Sequence, residues 1–173
     1  MTVVSGTRFQ TVRTFCYVMV LFLSLANAVF SSLTLRFILP NTAMFINKIS
    51  IYSDVVSCLQ FIWVILLLAH NNRPDSTSTF ARSRTHVYSF ISFSLLWMAS
   101  AILDIGQITY VGLCQPSFGH TFMNWCAFRS TMTAVGTVLW IFTSFLWIYI
   151  YRTAKSLDVL WGNISHFKDP SNV

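Results

Sequence analysis

Glutamate is absent from these 173 residues, and the acidic side chains are five aspartates. Charged residues of both signs make up 9% of the chain, against about a quarter in soluble domains. A water-facing globular surface cannot be assembled from so little charge. No Cys-x-x-Cys occurs among the four cysteines, which removes the usual signature of a membrane thiol oxidoreductase. The four histidines, His70, His86, His120 and His166, are scattered, with no pair at the helical spacing that metal or haem ligation within a bundle favours. A paired acid/base set and an activated nucleophile are missing too. No enzymatic activity, cofactor or metal is therefore expected.

What is present is apolar. Hydrophobic residues account for 55% of the chain and aromatic ones for 16%, which excludes disorder, because disordered chains are poor in aromatics and rich in charge. Between Arg13 and Arg36 lie 22 residues without a charge, TFCYVMVLFLSLANAVFSSLTL. A second run extends from about Ile49 to His70 and holds only Asp54 near its start, and a third from about Val87 to Leu113 contains Asp104. Between Arg129 and Arg152 lie another 22 uncharged residues. A helix needs about 20 apolar residues to cross a bilayer. The runs do not alternate as barrel strands do, and in lipid a single segment satisfies its backbone only as a helix. The expected fold class is all-α, a polytopic four-transmembrane-helix bundle. It divides into an amino-terminal segment 1–13, a membrane domain 14–152 and a tail 153–173.

Ala26-Asn27-Ala28 resembles a secretory cleavage site. However, the apolar character continues through Val29, Phe30, Leu33 and Leu35, as a full crossing requires and a signal peptide does not. The first span is expected to be retained. With the amino terminus in the cytosol, Arg8, Arg13, Arg73, Arg82, Arg84, Arg152, Lys155 and Lys168 share that side, against Arg36, Lys48 and Arg129 on the other. The positive-inside rule therefore predicts both termini in the cytosol. Arg82, Arg84, Arg152 and Lys155 then face anionic lipid, where each basic residue contributes about 1 kcal/mol. The basic balance, +6 overall, forms no patch on a soluble domain, and no nucleic-acid partner is expected.

The cytosolic connection 71–86 has the Pro, Ser and Thr of a linker, and negative charge added at Ser76, Thr77, Ser78, Thr79 or Ser83 would weaken its attraction to lipid. In the tail, Leu157, Leu160, Trp161, Ile164 and Phe167 fall on one helical stripe, which suits an interfacial helix. The sequon Asn163-Ile164-Ser165 lies on the predicted cytosolic side, out of reach of glycosylation.

Cys114 and Cys126 bracket the outer loop between the third and fourth spans and form a candidate disulfide. Cys16, just inside the cytosolic end of the first span, is a candidate for palmitoylation. Cys58 reads as a small packing residue. The sharpest feature is an intramembrane polar set, Asn27, Asp54, Asp104, Gln107 and Arg129, all toward the outer half, with Gln60 nearer the middle. Charged groups in lipid face the bundle and pair with one another, so Arg129 is expected to pair with Asp104, Asp54 or both. The set could fix helix order or line a proton or solute path. Small residues recurring every four positions, Ser24/Ala28/Ser32 and Ser130/Ala134, would allow close helix approach. Trp97, Trp125, Trp147, Tyr149 and Tyr151 are aromatic, and those near span ends suit the interfacial belt.

SLANAVFSSL (24–33), SLLWMASAIL (94–103) and AVGTVLWIFTSFLW (134–147) carry an alternation of small residues and tryptophan. With four spans and short outer loops, this resembles the MARVEL-domain tetraspan proteins, especially fungal members, over about residues 9–152. The resemblance implies a multi-pass protein of the plasma membrane or endomembrane vesicles. It would organise membrane domains or vesicle trafficking, with lipids, other membrane proteins or its own copies as partners. A claudin-like reading fails, because the first outer loop is short and lacks cysteine. The competing expectation is a small transporter or channel subunit that uses Asp54, Asp104 and Arg129.

Overall fold

The computed structural model describes residues 6–36, 44–71, 79–110 and 120–156, with side chains described for 9–33, 48–70, 79–80, 82–106 and 127–156. These residues form four long helices: α1 (Gly6–Arg36), α2 (Met44–Asn71), α3 (Ser83–Tyr110) and α4 (His120–Ser156). A 3₁₀ turn at Thr79–Ala81 precedes α3. The described helices contain no proline, as expected of a residue that lacks the amide donor and clashes with the preceding turn. At α3 the 3₁₀ turn acts as a cap: Thr79 carbonyl oxygen accepts from the Thr85 hydroxyl at 2.6 Å and from the Arg82 amide at 3.2 Å.

Four segments are long and apolar enough to span a membrane: Phe9–Leu33, Lys48–His70, Ser83–Gly106 and Ala127–Ser156. The protein is an integral multi-pass membrane protein on that basis. The first segment starts earlier than the charge pattern placed it, so Arg13 lies within the helix interface rather than at its boundary. Arg13 is fully buried, with its guanidinium 5.1 Å from the centre of the Phe9 ring. A long apolar stem with an aromatic face under its head lets an arginine sit one turn inside a helix end.

Each helix packs on two neighbours, α1 on α2 and α4, and α3 on α4 and α2. Ring contacts Phe9–Tyr149 and His70–Phe80 place the start of α1, the end of α2, the start of α3 and the end of α4 together. Phe30–Phe128 marks the opposite end. The exposed bases Arg82, Arg84, Arg152 and Lys155 all lie at the first end, where α1 starts and α4 stops.

Buried positions recur with alternating steps of three and four: 13, 17, 20, 24, 27, 31 in α1 and 50, 53, 57, 60, 64, 67 in α2. The same alternation gives 83, 87, 90, 94, 97, 101, 104 in α3 and 129, 132, 136, 139, 143, 146, 150, 153 in α4. That is the seam spacing of a heptad bundle, which winds helices left-handed. Gly136 occupies one such position, and a Cβ there would meet the Trp97 ring at 3.5 Å. The outward faces are apolar, with Phe15 62%, Phe22 61% and Ile102 63% exposed. Serine, asparagine, glutamine and an ion pair lie inside. This reverses the soluble pattern and is what a bundle dissolved in hydrocarbon requires.

The small-residue stripes fall elsewhere than expected. Ser32, Ser130 and Ala134 are exposed, whereas Ser24, Asn27 and Ser31 line the α1 seam. Cys58, expected to pack inside, is exposed. Trp97 is fully buried mid-bundle. Helix packing here follows the 3.5-residue period of the seam, and strict i, i+4 steps drift out of it.

Candidate functional site in the bundle interior

Polar side chains at the seam positions meet in layers. The layer at the end of the bundle marked by Phe30 and Phe128 draws one residue from every helix. Arg129 on α4 donates from Nη2 to Asp104 Oδ1 on α3 at 2.5 Å and from Nη1 to Ser50 Oγ on α2 at 2.5 Å. Ser31 on α1 donates to the Ser50 carbonyl oxygen at 2.7 Å. Asp104 is 2% exposed and Arg129 is fully buried. The carboxylate and guanidinium are a close ion pair, and the planar fork of arginine lets one side chain serve both an acid and a hydroxyl.

One turn further in, Asn27 Nδ2 on α1 donates to Ser53 Oγ at 3.0 Å and to Ser57 Oγ at 2.9 Å, both on α2. Ser57 in turn donates to the Ser53 carbonyl oxygen at 2.7 Å. At mid-bundle, Gln60 Oε1 on α2 accepts from the Trp97 indole on α3 at 2.6 Å and from Ser24 on α1 at 3.1 Å. Ser94 and Ser144 join α3 to α4 at 2.6 Å, and the Tyr52 hydroxyl donates to the Leu96 carbonyl oxygen at 3.2 Å, joining α2 to α3.

Below these layers the core turns apolar, with Val20, Val64, Leu67, Phe90, Leu146 and Ile150 buried. A second polar contact then closes the end where α1 starts and α4 stops. Tyr17 on α1 donates from its hydroxyl to His86 Nδ1 on α3 at 2.7 Å, and His86 Nε2 bonds the Phe80 carbonyl oxygen at 2.8 Å. This assigns the neutral Nε2–H tautomer, with Nδ1 as acceptor. His86 is fully buried.

Of the five polar residues anticipated inside the membrane, Asp104 and Arg129 meet directly, and Asn27 lies one layer away among the α2 serines. Asp54 does not join them. It is half-buried on the flank of α2, with Ser32 of α1 beside its carboxylate. The Asp54–Arg129 pair is therefore not formed: the seam of α2 runs through Ser53 and Ser57, and residue 54 is turned about 100° from residue 53. The Gln107 side chain lies outside the described residues. So does the expected disulfide, since Cys114 and the Cys126 side chain are both outside them. The tail stripe, the sequon and Ser76, Thr77 and Ser78 lie outside them as well.

Arg82, Arg84, Arg152 and Lys155 are exposed around one rim of the bundle, where a headgroup could reach them, and Arg84 stacks over Tyr88 at 5.0 Å. Cys16 is 5% exposed, packed in the core. The thiol presented outward among the described residues is that of Cys58. No group of three His, Cys, Asp or Glu side chains that could hold a metal ion occurs among the described residues. What the interior can do chemically is hold helices in one register, because each layer pairs donors on one helix with acceptors on another, although Asn27 Oδ1 and Gln60 Nε2 stay buried with no described hydrogen-bond partner.

Ser50, Ser53, Ser57, Gln60, Tyr17 and His86 were not singled out as a set from the sequence. The signal for the α2 members was present: four polar residues at steps of three, four and three within an otherwise apolar run. In comparisons with known proteins, no family model matches the chain, and neither does a curated protein or a solved structure.

Proposed function

We propose that this chain is a non-enzymatic tetraspan scaffold of the plasma membrane or endomembrane vesicles. It would organise membrane domains or vesicle traffic by associating with lipids and other membrane proteins. The observation that carries the reading is the four-helix layer of Ser31, Ser50, Asp104 and Arg129. There both ionic groups are held by neighbouring helices, an arrangement suited to fixing helix order. The likeness to MARVEL-domain tetraspan proteins points the same way. The exposed rim of Arg82, Arg84, Arg152 and Lys155 supports an orientation with both termini in the cytosol, against anionic lipid.

A transporter built on Asp54, Asp104 and Arg129 draws less support, because Asp54 stands apart from the other two and faces the exterior flank. Neutralising Asp104 separates the readings. In a scaffold, Asp104→Asn lowers the yield of folded, correctly assembled protein. In a transporter, the same variant assembles normally and loses flux or its pH response. Normal assembly with lost flux would overturn the scaffold reading.

A further inference from the structure

Asp54 is an acid inside a membrane span that has no basic partner among the described residues. Six residues separate it from Lys48, the first residue of its span, which sets it about 9 Å along the helix axis at 1.5 Å per residue. An aspartate side chain is too short to reach the interface from that depth as lysine and arginine do. Of the arginines within this chain's spans, Arg129 binds Asp104 and Ser50, while Arg13, Arg84 and Arg152 lie at the far end of the bundle. Beside Asp54, the outward face of α1 and α2 carries Ser32, Val29, Ile51, Val55 and Cys58, all exposed. A lone carboxylate set in an apolar, lipid-facing surface is costly, and an opposite charge at the same depth removes that cost.

We propose that the α1/α2 face around Asp54 and Ser32 is the docking site for a transmembrane helix of a partner protein that carries a lysine or arginine at matching depth. Charge complementarity names the occupant. A second copy of this chain has no exposed basic side chain at that level among the described residues, since its Lys48 sits at the span end. A cationic helix pairs with the ionised acid directly. The apolar residues around the acid pack against the incoming helix. This deepens the scaffold reading and rests on it, by giving the chemistry of one protein that the scaffold would gather.

The test reconstitutes the full chain in vesicles with synthetic leucine-rich transmembrane helices. Each carries one lysine, moved through successive depths, and one cysteine a turn away from it. Cys58 lies one turn from Asp54 on the exposed side, so disulfide formation with the synthetic helix reports docking, and Cys58→Ser gives the background. The expected result is cross-linking that peaks at one lysine depth and falls about tenfold in Asp54→Asn. Asp54→Lys should then capture a helix bearing aspartate at that same depth. Equal cross-linking of lysine and all-leucine helices, or no change in Asp54→Asn, overturns the proposal. So does a Cys58–Cys58 product that forms regardless of the added helix, which would make a second copy the occupant. Asp104→Asn serves as the control for the scaffold reading: a loss of flux with docking intact would refute that reading and leave this site standing.

Discussion

Removing either partner of the Asp104–Arg129 pair should be far more damaging than removing both. In Asp104→Leu the guanidinium of Arg129, fully buried between α2, α3 and α4, loses the carboxylate that balances its charge. Breaking a buried pair in this way costs about 3–5 kcal/mol, a large fraction of the 5–15 kcal/mol that typically holds a domain together. Arg129→Met leaves the Asp104 carboxylate in the same position and should cost a similar amount. The double variant Asp104→Leu/Arg129→Met removes both charges and fills the layer with side chains of similar volume. Such replacements are often neutral or stabilising by about 1–4 kcal/mol. What remains lost is the bond to Ser50, about 1–2 kcal/mol for a hydrogen bond between membrane helices, and the freed hydroxyl can turn to its own helix. The double variant should therefore lie within about 2 kcal/mol of the parent, where independent losses would sum to roughly 6–10 kcal/mol. The assay is reversible unfolding of the purified chain in mixed micelles with increasing sodium dodecyl sulfate, followed by near-ultraviolet circular dichroism. A double variant that loses as much as the two single variants together would mean that the residues do not interact, and the four-helix layer would have to be redrawn.

Two further outcomes follow from the seam. Gln60→Leu should cost about 1–2 kcal/mol, because the buried Trp97 indole loses its acceptor. Adding Trp97→Phe should restore most of that loss, as read in the same unfolding titration. Ser53→Leu should destabilise by about 1–3 kcal/mol through overpacking, whereas Ser130→Leu and Ala134→Leu, on the exposed side of α4, should stay within about 0.5 kcal/mol of the parent.

The architecture was legible because its determinants are long and local. Uncharged runs as long as a bilayer is thick, bounded by arginine and punctuated by Pro40, Pro74 and Pro116, allow little besides helices that cross. The Asp104–Arg129 pair was legible for a related reason, since opposite charges inside lipid have few alternatives. Asp54 could not be sorted from Asp104 by chemistry, because both are aspartates near the same end of a span. Only the phase of the seam separates them, and that phase is set by Ser50, Ser53, Ser57 and Gln60, whose polarity looked incidental. Small-residue steps of four suggested Ser32 and Ser130 as contacts, yet a supercoiled seam advances by 3.5 and leaves both outside. The Tyr17–His86 contact joins residues 69 positions apart. It had no sequence signal, because its geometry arises only when α1 and α3 face each other across the bundle.

The most direct test of the central claim, a chain that crosses the membrane four times with both ends on the cytosolic side, is protease protection in sealed vesicles of known orientation. The full chain would carry a different tag at each terminus. Both tags should be present on one full-length molecule, and both should be removed by protease added to the cytosolic face. A tag that survives in the lumen, or an amino-terminal tag already lost before protease is added, would contradict the account. The first result would mean an odd number of crossings or an inverted chain, and the second would mean cleavage after Ala28.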